Sequence, residues 1–119
     1  MNDLTDKIKD KIDTAIKKSI FWLYSQIVLN TPVRTGRARA NWQIDIVESN
    51  GIIYDEDKSG SKAIARAEQI IISMEGVVFI TNNLNYIRKL EHGGSKQAPQ
   101  GMVKIAIERY HSIFSELIK

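Results

Sequence analysis

The chain has 119 residues, 43% of them hydrophobic and 26% charged, which fits a globular protein and excludes collagen-like and disordered classes. Seventeen basic and fourteen acidic residues give a formal charge of +3, a smaller excess than a dedicated nucleic-acid-binding protein concentrates on one face. This length predicts a single domain over residues 1–119 with one core. The absence of cysteine excludes disulfides and thiolate metal sites.

The first thirty residues predict a long amphipathic helix. Apolar residues recur at intervals of three and four from Leu4 to Ile27, and neither proline nor glycine interrupts residues 3–30. At 1.5 Å per residue such a helix measures roughly 40 Å, so we expect one end to project from a domain of this size. The charges that interleave this pattern exclude a secretion signal, and the uncharged run at 19–33 is too short to span a bilayer.

The two halves of this helix differ in how much of their surface is apolar. After Lys18 the residues Phe21, Tyr24 and Val28 widen the apolar stripe, which indicates a segment buried on two sides. Part of that stripe exceeds what one small sheet covers and is available to a neighbouring subunit. The lysine-rich first half fits a solvated face, and a contact with an assembly partner or with nucleic acid remains the alternative.

A basic connector follows, with the sequence TPVRTGRARANW at residues 31–42. Pro32 and Gly36 predict a turn, and Thr35 is placed to cap a short helical turn after it. The arginines of the connector stand beside a tryptophan, so they suit either phosphate groups or the acidic residues of a neighbouring subunit. These arginines are Arg34, Arg37 and Arg39.

Strands and helices alternate in the rest of the chain. Residues 42–47 predict a half-buried strand, and Asn50-Gly51 predicts a hairpin into residues 52–55. The pattern continues with a helix from Ser61 to about Met74, for which the Ile70-Ile71-Ile72 run leaves a strand as the alternative, and with a central strand at 77–81. A short helix after Asn82 or Asn83 and a last helix from Pro99 complete it. This order predicts the α+β class, with a small, mainly antiparallel sheet covered by long N-terminal and C-terminal helices.

The sequence contains one candidate for a metal-dependent nuclease. Asp45 followed by Glu56 and Lys58 is the order in which many such enzymes hold Mg²⁺ and orient water, but Asp57 stands where the pattern needs an apolar residue. A solvated acidic loop is the alternative. The GGSK sequence at 93–96 does not have the spacing of a phosphate-binding loop, and the two histidines lack zinc-site spacing, so we predict no catalytic, metal or cofactor site.

Three segments, TPVRTGRARANW, ITNNLNYIRKLEHGGSKQAP and QGMV, together resemble a family of phage proteins, the tail-component or neck family typified by the tenth gene product of phage HK97. The chain departs from the family pattern at Arg34, where many relatives have an acidic residue, and at Asn85, where a proline often precedes the tyrosine. The residues that match are Thr31, Pro32, Val33, Thr35, Gly36, Trp42, Asn82, Asn83, Tyr86, Leu90, Glu91, Gly93, Pro99, Gly101, Met102 and Val103.

The resemblance implies a non-enzymatic structural virion protein of a tailed phage or prophage, made in the host cytoplasm and acting at the head–tail junction or in tail completion. It implies head-closure, connector and tail terminator or tube proteins as partners, a ring of copies in the particle, and no cofactor or membrane. Contact with genomic DNA is left open. The protein contacts fall on Arg34, Arg37, Arg39, Glu91, His92, Ser95, Lys96 and Gln97, most of them in the loop between the last two helices.

A DNA-binding protein is the alternative to this assembly role. It would use the lysine-rich first helix together with Arg34, Arg37 and Arg39, because these residues form the main concentrations of basic charge in the sequence. Its affinity for DNA would fall steeply as the salt concentration rises, since binding releases counterions from the phosphates. A salt titration of DNA binding therefore distinguishes the two functions.

Overall fold

The structure, a computed structural model, describes residues 3–33, 35–46, 51–74, 76–92 and 101–119. Over these residues it confirms the α+β class, with long helices towards both ends of the chain and a two-stranded antiparallel sheet between them. The elements are α1 (Asp3–Asn30), α2 (Arg37–Ala40), β1 (Trp42–Asp45), α3 (Ser61–Ser73), β2 (Phe79–Asn82), α4 (Ile87–Glu91) and α5 (Val103–Leu117).

Helix α1 has the bounds that its uninterrupted apolar period predicts. Asp3 and Asp6 lie in its first turn, where carboxylates interact favourably with the helix dipole. Residues 3–14 are exposed along almost their whole length, and we call this segment the arm. The second half is buried as predicted, with Tyr24 and Val28 fully inside the core. The long dimension of the molecule, 52 Å against 27 and 22 Å, is consistent with a projecting arm.

Helix α5 packs against α1 in the antiparallel direction. The Ser19 and Tyr110 hydroxyls lie 3.0 Å apart, while Ile27 of α1 and Val103 of α5 line the same apolar groove. The last two turns of α5 therefore reach to about residue 12 of α1, and the arm extends beyond them. None of the described helices has an apolar stretch long enough to cross a membrane.

The sheet pairs β1 with β2, and Trp42 lies opposite Asn82. The predicted hairpin is wrong for the described part of it, because residues 51–57 form no strand; residues 47–50, which include the predicted turn, lie outside the described residues. Side chains of the β1 region bind this segment instead. The Asn41 amide donates to the Tyr54 carbonyl at 2.8 Å and accepts from the Tyr54 amide at 2.6 Å. The strand predicted as central is thus one of only two in the described sheet.

Side chains determine where two of the helices begin. The buried Asp57 carboxylate accepts from the amides of Lys62 and Ala63, at 2.9 and 3.1 Å, and so caps α3. Helix α4 starts later than predicted, because Asn82 Oδ1 accepts from the Leu84 amide at 3.1 Å and forms a turn before the helix. Pro99, predicted to begin the last helix, lies outside the described residues.

The core lies where the second half of α1 meets the sheet, α3 and α5. It combines large side chains from α1 and β1 with small ones from α3, whose alanines allow close approach of that helix. Its buried members are Tyr24, Ile27, Val28, Trp42, Ile44, Ala63, Ala67, Ile71, Met74, Met102 and Ala106.

Candidate interaction surface

Thr31 and Trp42 join the two ends of the basic connector. The Thr31 hydroxyl donates to the Ile27 carbonyl at 2.6 Å and accepts from the Trp42 indole N–H at 2.7 Å. Both side chains are buried, so their polar atoms have to be paired within the protein. The spacing of Thr31 and Trp42 therefore has a structural reason, since the hydrogen bond between them closes the connector into a loop.

Gly36 places the connector directly on the acidic segment 55–58. Its backbone is left-handed, with φ of 87°, and its carbonyl accepts from the Ala40 and Asp57 amides at 3.0 Å each. A Cβ at this position would lie 2.7 Å from the Asp57 carbonyl carbon and would collide with the Lys58 amide. Glycine is required here both for the conformation and for the contact.

Arg39 is engaged within the chain. Its guanidinium donates from Nε to the Thr31 carbonyl at 2.9 Å, from Nη1 to Lys58 at 2.9 Å and from Nη2 to Leu29 at 2.7 Å. These carbonyls belong to the end of α1, the connector and the acidic segment. Arg39 thus holds three parts of the chain together, a role that the sequence did not reveal.

The other two connector arginines differ from Arg39. Arg37 is exposed, and its guanidinium has no hydrogen bond or ion pair with the described residues. Thr35 Oγ1 accepts from the Arg37 amide at 3.2 Å, which agrees with the capping role predicted for Thr35. Arg34 lies outside the described residues. Of the described connector arginines, Arg37 therefore has its charge available to a partner.

Glu91, at the end of α4, caps the start of α5. Its Oε1 accepts from the amides of Met102 and Val103, at 2.8 and 2.9 Å, and its Oε2 accepts from the Lys104 amide at 3.0 Å. Gly101 has φ of 85°, and a Cβ there would lie 2.8 Å from the Glu91 carboxyl carbon. We call Glu91, Gly101 and the three amides the clip, because together they fix both ends of the segment between the helices.

The clip affects the acid–base behaviour of Glu91. Partial burial opposes its ionisation, but the hydrogen bonds from Val103, Met102 and Lys104 outweigh this effect, and His92 adds to them. The pKa of Glu91 in the folded protein is therefore lower than its usual value. The folded state is stabilised by the ionised carboxylate.

A Glu91→Gln variant is expected to lose about 1 kcal/mol of unfolding free energy at pH 7, a typical value for a capping side chain. Because the folded pKa is depressed, the advantage of the wild type is complete above the usual pKa of 4.5 and disappears as pH falls through the folded pKa. Urea unfolding of both proteins from pH 7 downwards measures this difference. Glu108→Gln, an exposed change on α5, is the control, and a Glu91 effect that is constant with pH contradicts the assignment.

The remaining predicted contact residues lie around the clip or outside the described residues. His92 is exposed immediately after α4, whereas Ser95, Lys96 and Gln97 fall in 93–100, which the structure does not describe. Among the described residues, no hydrogen bond or ion pair joins Glu91 and His92 to Arg37 and Arg39. The two groups of candidates are thus separate features.

The residues of the nuclease pattern have other surroundings. Asp45 Oδ1 accepts from the Ile46 amide at 2.7 Å, and Glu56 and Lys58 are exposed on either side of the buried cap Asp57. Within the described ranges, no group of three or more acidic or histidine side chains is placed to hold a metal ion.

Several structurally important contacts gave no signal in the sequence. The buried Tyr24 hydroxyl donates to the Trp42 carbonyl at 2.6 Å, with the Ala63 carbonyl at 3.1 Å, and burial raises the pKa of Tyr24 well above its ordinary value. The Arg66 guanidinium lies 3.7 Å from the centre of the Tyr54 ring, a cation–π contact that fixes the acidic segment on α3. Such long-range pairs have no local sequence pattern.

An apolar groove of about 330 Å³ lies between α1, the sheet and α5. Its α1 side is formed by Ile20, Leu23 and Ile27, whereas Tyr24 and Val28 of the wide stripe are fully buried in the core. Its lining residues are Ile20, Leu23, Ile27, Trp42, Val78, Ile80, Val103 and Ile107, of which Ile107 is 55% exposed. The groove is therefore an apolar surface that remains open in the isolated chain.

Comparison with known proteins identifies one match. A family model described as "Bacteriophage HK97-gp10, putative tail-component" matches residues 1–93, which include every described element except α5. No curated protein and no solved structure matches the chain.

Proposed function

Because the chain belongs to the HK97 gp10-like family of phage tail components, we propose that it acts at the head–tail junction of a tailed phage or prophage, in the neck or in tail completion. The family match over residues 1–93 carries the proposal. A tail component is part of the virion, and its partners are other phage structural proteins. The finer partners that we propose are head-closure, connector and tail terminator or tube proteins.

The clip supports a contact surface between α4 and α5. Hydrogen bonds from three backbone amides to the Glu91 carboxylate and the close approach of Gly101 fix both ends of the segment before any partner binds. Anchored ends reduce the ordering entropy that is lost on binding. We therefore assign the partner contacts to His92, Ser95, Lys96 and Gln97, with Glu91 as the residue that holds their base.

Arg37 and Arg34 form the second proposed contact. Arg37 is exposed on α2 and has no acidic partner among the described residues, so it suits a carboxylate on a neighbouring subunit. Arg39, the third predicted contact, has its guanidinium bound to three carbonyls, so any contact with a partner would compete with those bonds.

We infer that the protein acts by binding and assembly, without turnover, and that copies of it form a ring in the particle. The open apolar groove supports the ring, because a neighbouring copy can cover apolar surface that the isolated chain leaves exposed. The separate surroundings of Asp45, Glu56 and Lys58 support the non-enzymatic role.

The double variant Lys96→Ala/Gln97→Ala tests the contact surface in the phage or prophage. We expect DNA-filled heads and separate tails, with the variant protein missing from particles, because the subunits fold but do not bind their partner. Electron microscopy and mass spectrometry of purified particles measure these outcomes. Folding should be unchanged, since surface substitutions usually alter stability by about 0.5 kcal/mol or less.

Lys62→Ala/Gln69→Ala is the matched control, because both residues are exposed on α3 and lie away from the clip. It should give a normal yield of joined particles. A normal yield from the folded Lys96/Gln97 variant contradicts the contact role of the segment and transfers it to Arg34 and Arg37. If the protein enters particles but loses salt-dependent DNA affinity, the DNA-binding alternative is favoured instead.

A further inference from the structure

The arm extends an apolar stripe beyond the region that α5 covers. Ile8, Ile12 and Ile16 recur every four residues on one face of α1, and they are 51%, 46% and 37% exposed. Ala15 and Ser19 lie on the same face and are buried, at 2% and 0% exposure. By the Ser19–Tyr110 register, Ile12 and Ile16 lie level with the last two turns of α5 and Ile8 lies beyond them. The stripe therefore offers a second helix a place alongside the end of α5.

The charges of the first five turns are arranged around this stripe. At about 100° per residue, Lys7, Lys11 and Lys18 follow one border of the stripe and Lys9 follows the other. All four are exposed, and none forms an ion pair with a described residue. The opposite face carries Asp3, Asp6 and Asp10, whereas Asp13 lies beyond Lys9, about 60° from Ile16, and forms an ion pair with Lys17. The apolar stripe is thus bordered mainly by lysine, with Asp13 the acidic residue nearest to it.

This arrangement disfavours a second copy of the arm as the occupant. When two such helices pack stripe against stripe, their borders meet in both the parallel and the antiparallel orientation. Lysine would then face lysine along most of each side, while Asp3, Asp6 and Asp10 of both helices point away from the contact. Like charges at such positions weaken helix pairing and select a partner of opposite sign.

Nucleic acid and anionic lipid fit the arm less well than a protein does. Residues 3–14 contain three lysines and four aspartates, so the arm has no excess of positive charge to attract a phosphate surface from a distance. At short range, binding depends more on which side of the helix carries the lysines and which the aspartates than on the net charge of the arm. Only a surface that covers the isoleucines and places carboxylates beside the lysines uses both features.

We propose that the arm binds an amphipathic helix of another protein whose apolar stripe is bordered by glutamate or aspartate. The helix packs on Ile8 and Ile12 of the arm and on the adjoining Ile16, alongside the end of α5, and its carboxylates pair with the border lysines. This inference concerns the arm alone and does not depend on the role proposed for the segment between α4 and α5.

The probe is a fluorescent synthetic helix of about three heptads, with leucine at the core positions and glutamate at both borders. An otherwise identical helix with lysine borders is the control peptide. We expect the full-length protein to bind the glutamate peptide, measured by fluorescence anisotropy, at least about tenfold more tightly than the lysine peptide. Increasing NaCl should weaken this binding, because the border contacts are exposed.

Variants of the arm separate the two components of the contact. Ile8→Ser/Ile12→Ser should abolish binding, and Asp6→Asn/Asp10→Asn, on the opposite face, should preserve it. Lys7→Glu/Lys11→Glu should reverse the preference in favour of the lysine peptide. Circular dichroism and thermal unfolding of each variant verify that α1 and the core are retained.

Four results would overturn the proposal. The first is failure of the glutamate peptide to bind more tightly than the lysine peptide, and the second is an unchanged preference in the charge-reversed variant. The third is a wild-type dimer in sedimentation that Ile8→Ser/Ile12→Ser disperses, which would identify a second copy as the occupant. The fourth is tighter binding, dependent on Ile8, to phosphatidylglycerol vesicles or duplex DNA.

Discussion

A Gly36→Ala variant is expected to lose about 3 kcal/mol of unfolding free energy, a large part of the roughly 5–15 kcal/mol that holds a typical protein folded. A left-handed backbone costs a residue with a Cβ roughly 1–2 kcal/mol. The added methyl group also overlaps the backbone of Asp57 and Lys58, which cannot move away by a rotamer change as a flexible side chain can. Overpacking of this kind typically costs about 1–3 kcal/mol more.

Gly76→Ala is the matched control for this effect. Gly76 is also left-handed, with φ of 71°, but a Cβ there has no neighbour within 4 Å. We expect it to lose only the conformational part, roughly 1–2 kcal/mol. Urea unfolding followed by circular dichroism measures both variants, and equal losses would show that the contact of Gly36 with the acidic segment contributes nothing.

The second large effect is expected for Arg39→Ala, which should lose about 2 kcal/mol of unfolding free energy. Three carbonyls lose a charged donor, and hydrogen bonds to charged groups contribute roughly 1.5–3 kcal/mol when the partner is removed. Water can replace some of the lost hydrogen bonds to these carbonyls, because Arg39 is only half-buried. Arg39→Lys should lose a similar amount, since an ammonium group cannot reach three carbonyls in the geometry of a guanidinium.

Arg37→Ala provides the comparison, because Arg37 has the same charge and lies two residues away with an exposed side chain. Its thermal stability should stay within the change of about 0.5 kcal/mol that is usual at the surface. In a particle-assembly assay the order should reverse, with Arg37→Ala failing to assemble although it folds. If Arg39→Ala unfolds like the wild type and fails only in assembly, Arg39 is a partner contact and not a structural residue.

The long helices could be predicted from the sequence because their signals are local. The apolar period of α1 ends at Asn30, before Pro32, and α3 begins at Ser61 as predicted. The resemblance to the phage family is also confirmed, and the match extends it through α1. The marks from Pro99 onwards lie beyond the matched residues 1–93.

The pairing of the strands could not be predicted in this way. Asn50-Gly51 is a local turn signal, whereas Asn41 and Gln43 bind the backbone of residues 52 and 54 through side chains, which no period in the sequence reveals. The β1 partner is 34 or more residues further along the chain. Helix α3 comes between β1 and β2 in the chain and packs against β1. The pairing of the two strands therefore depends on how α3 packs.

The sequence identified residues of the candidate site, but not what each of them does in the structure. Glu91 was expected to contact a partner because it matched a family mark, and the structure shows its carboxylate on the amides of α5 instead of free in solution. A cap supplied from ten or more residues away has no sequence signature, unlike a Ser, Thr or Asp directly before a helix. The contacts of His92, Ser95, Lys96 and Gln97 stay predictions.

The clip also affects how this protein can change over evolution or be engineered. Because Glu91 and Gly101 already hold the two ends together, extra residues inserted between them add only the slow, logarithmic entropy of a longer loop, about 0.6 kcal/mol for each doubling in length. The clip uses backbone amides of Met102, Val103 and Lys104, so it places no demand on the residues inserted. Residues 93–100 are therefore the position at which an epitope or a new binding specificity can be introduced while the rest of the fold is retained.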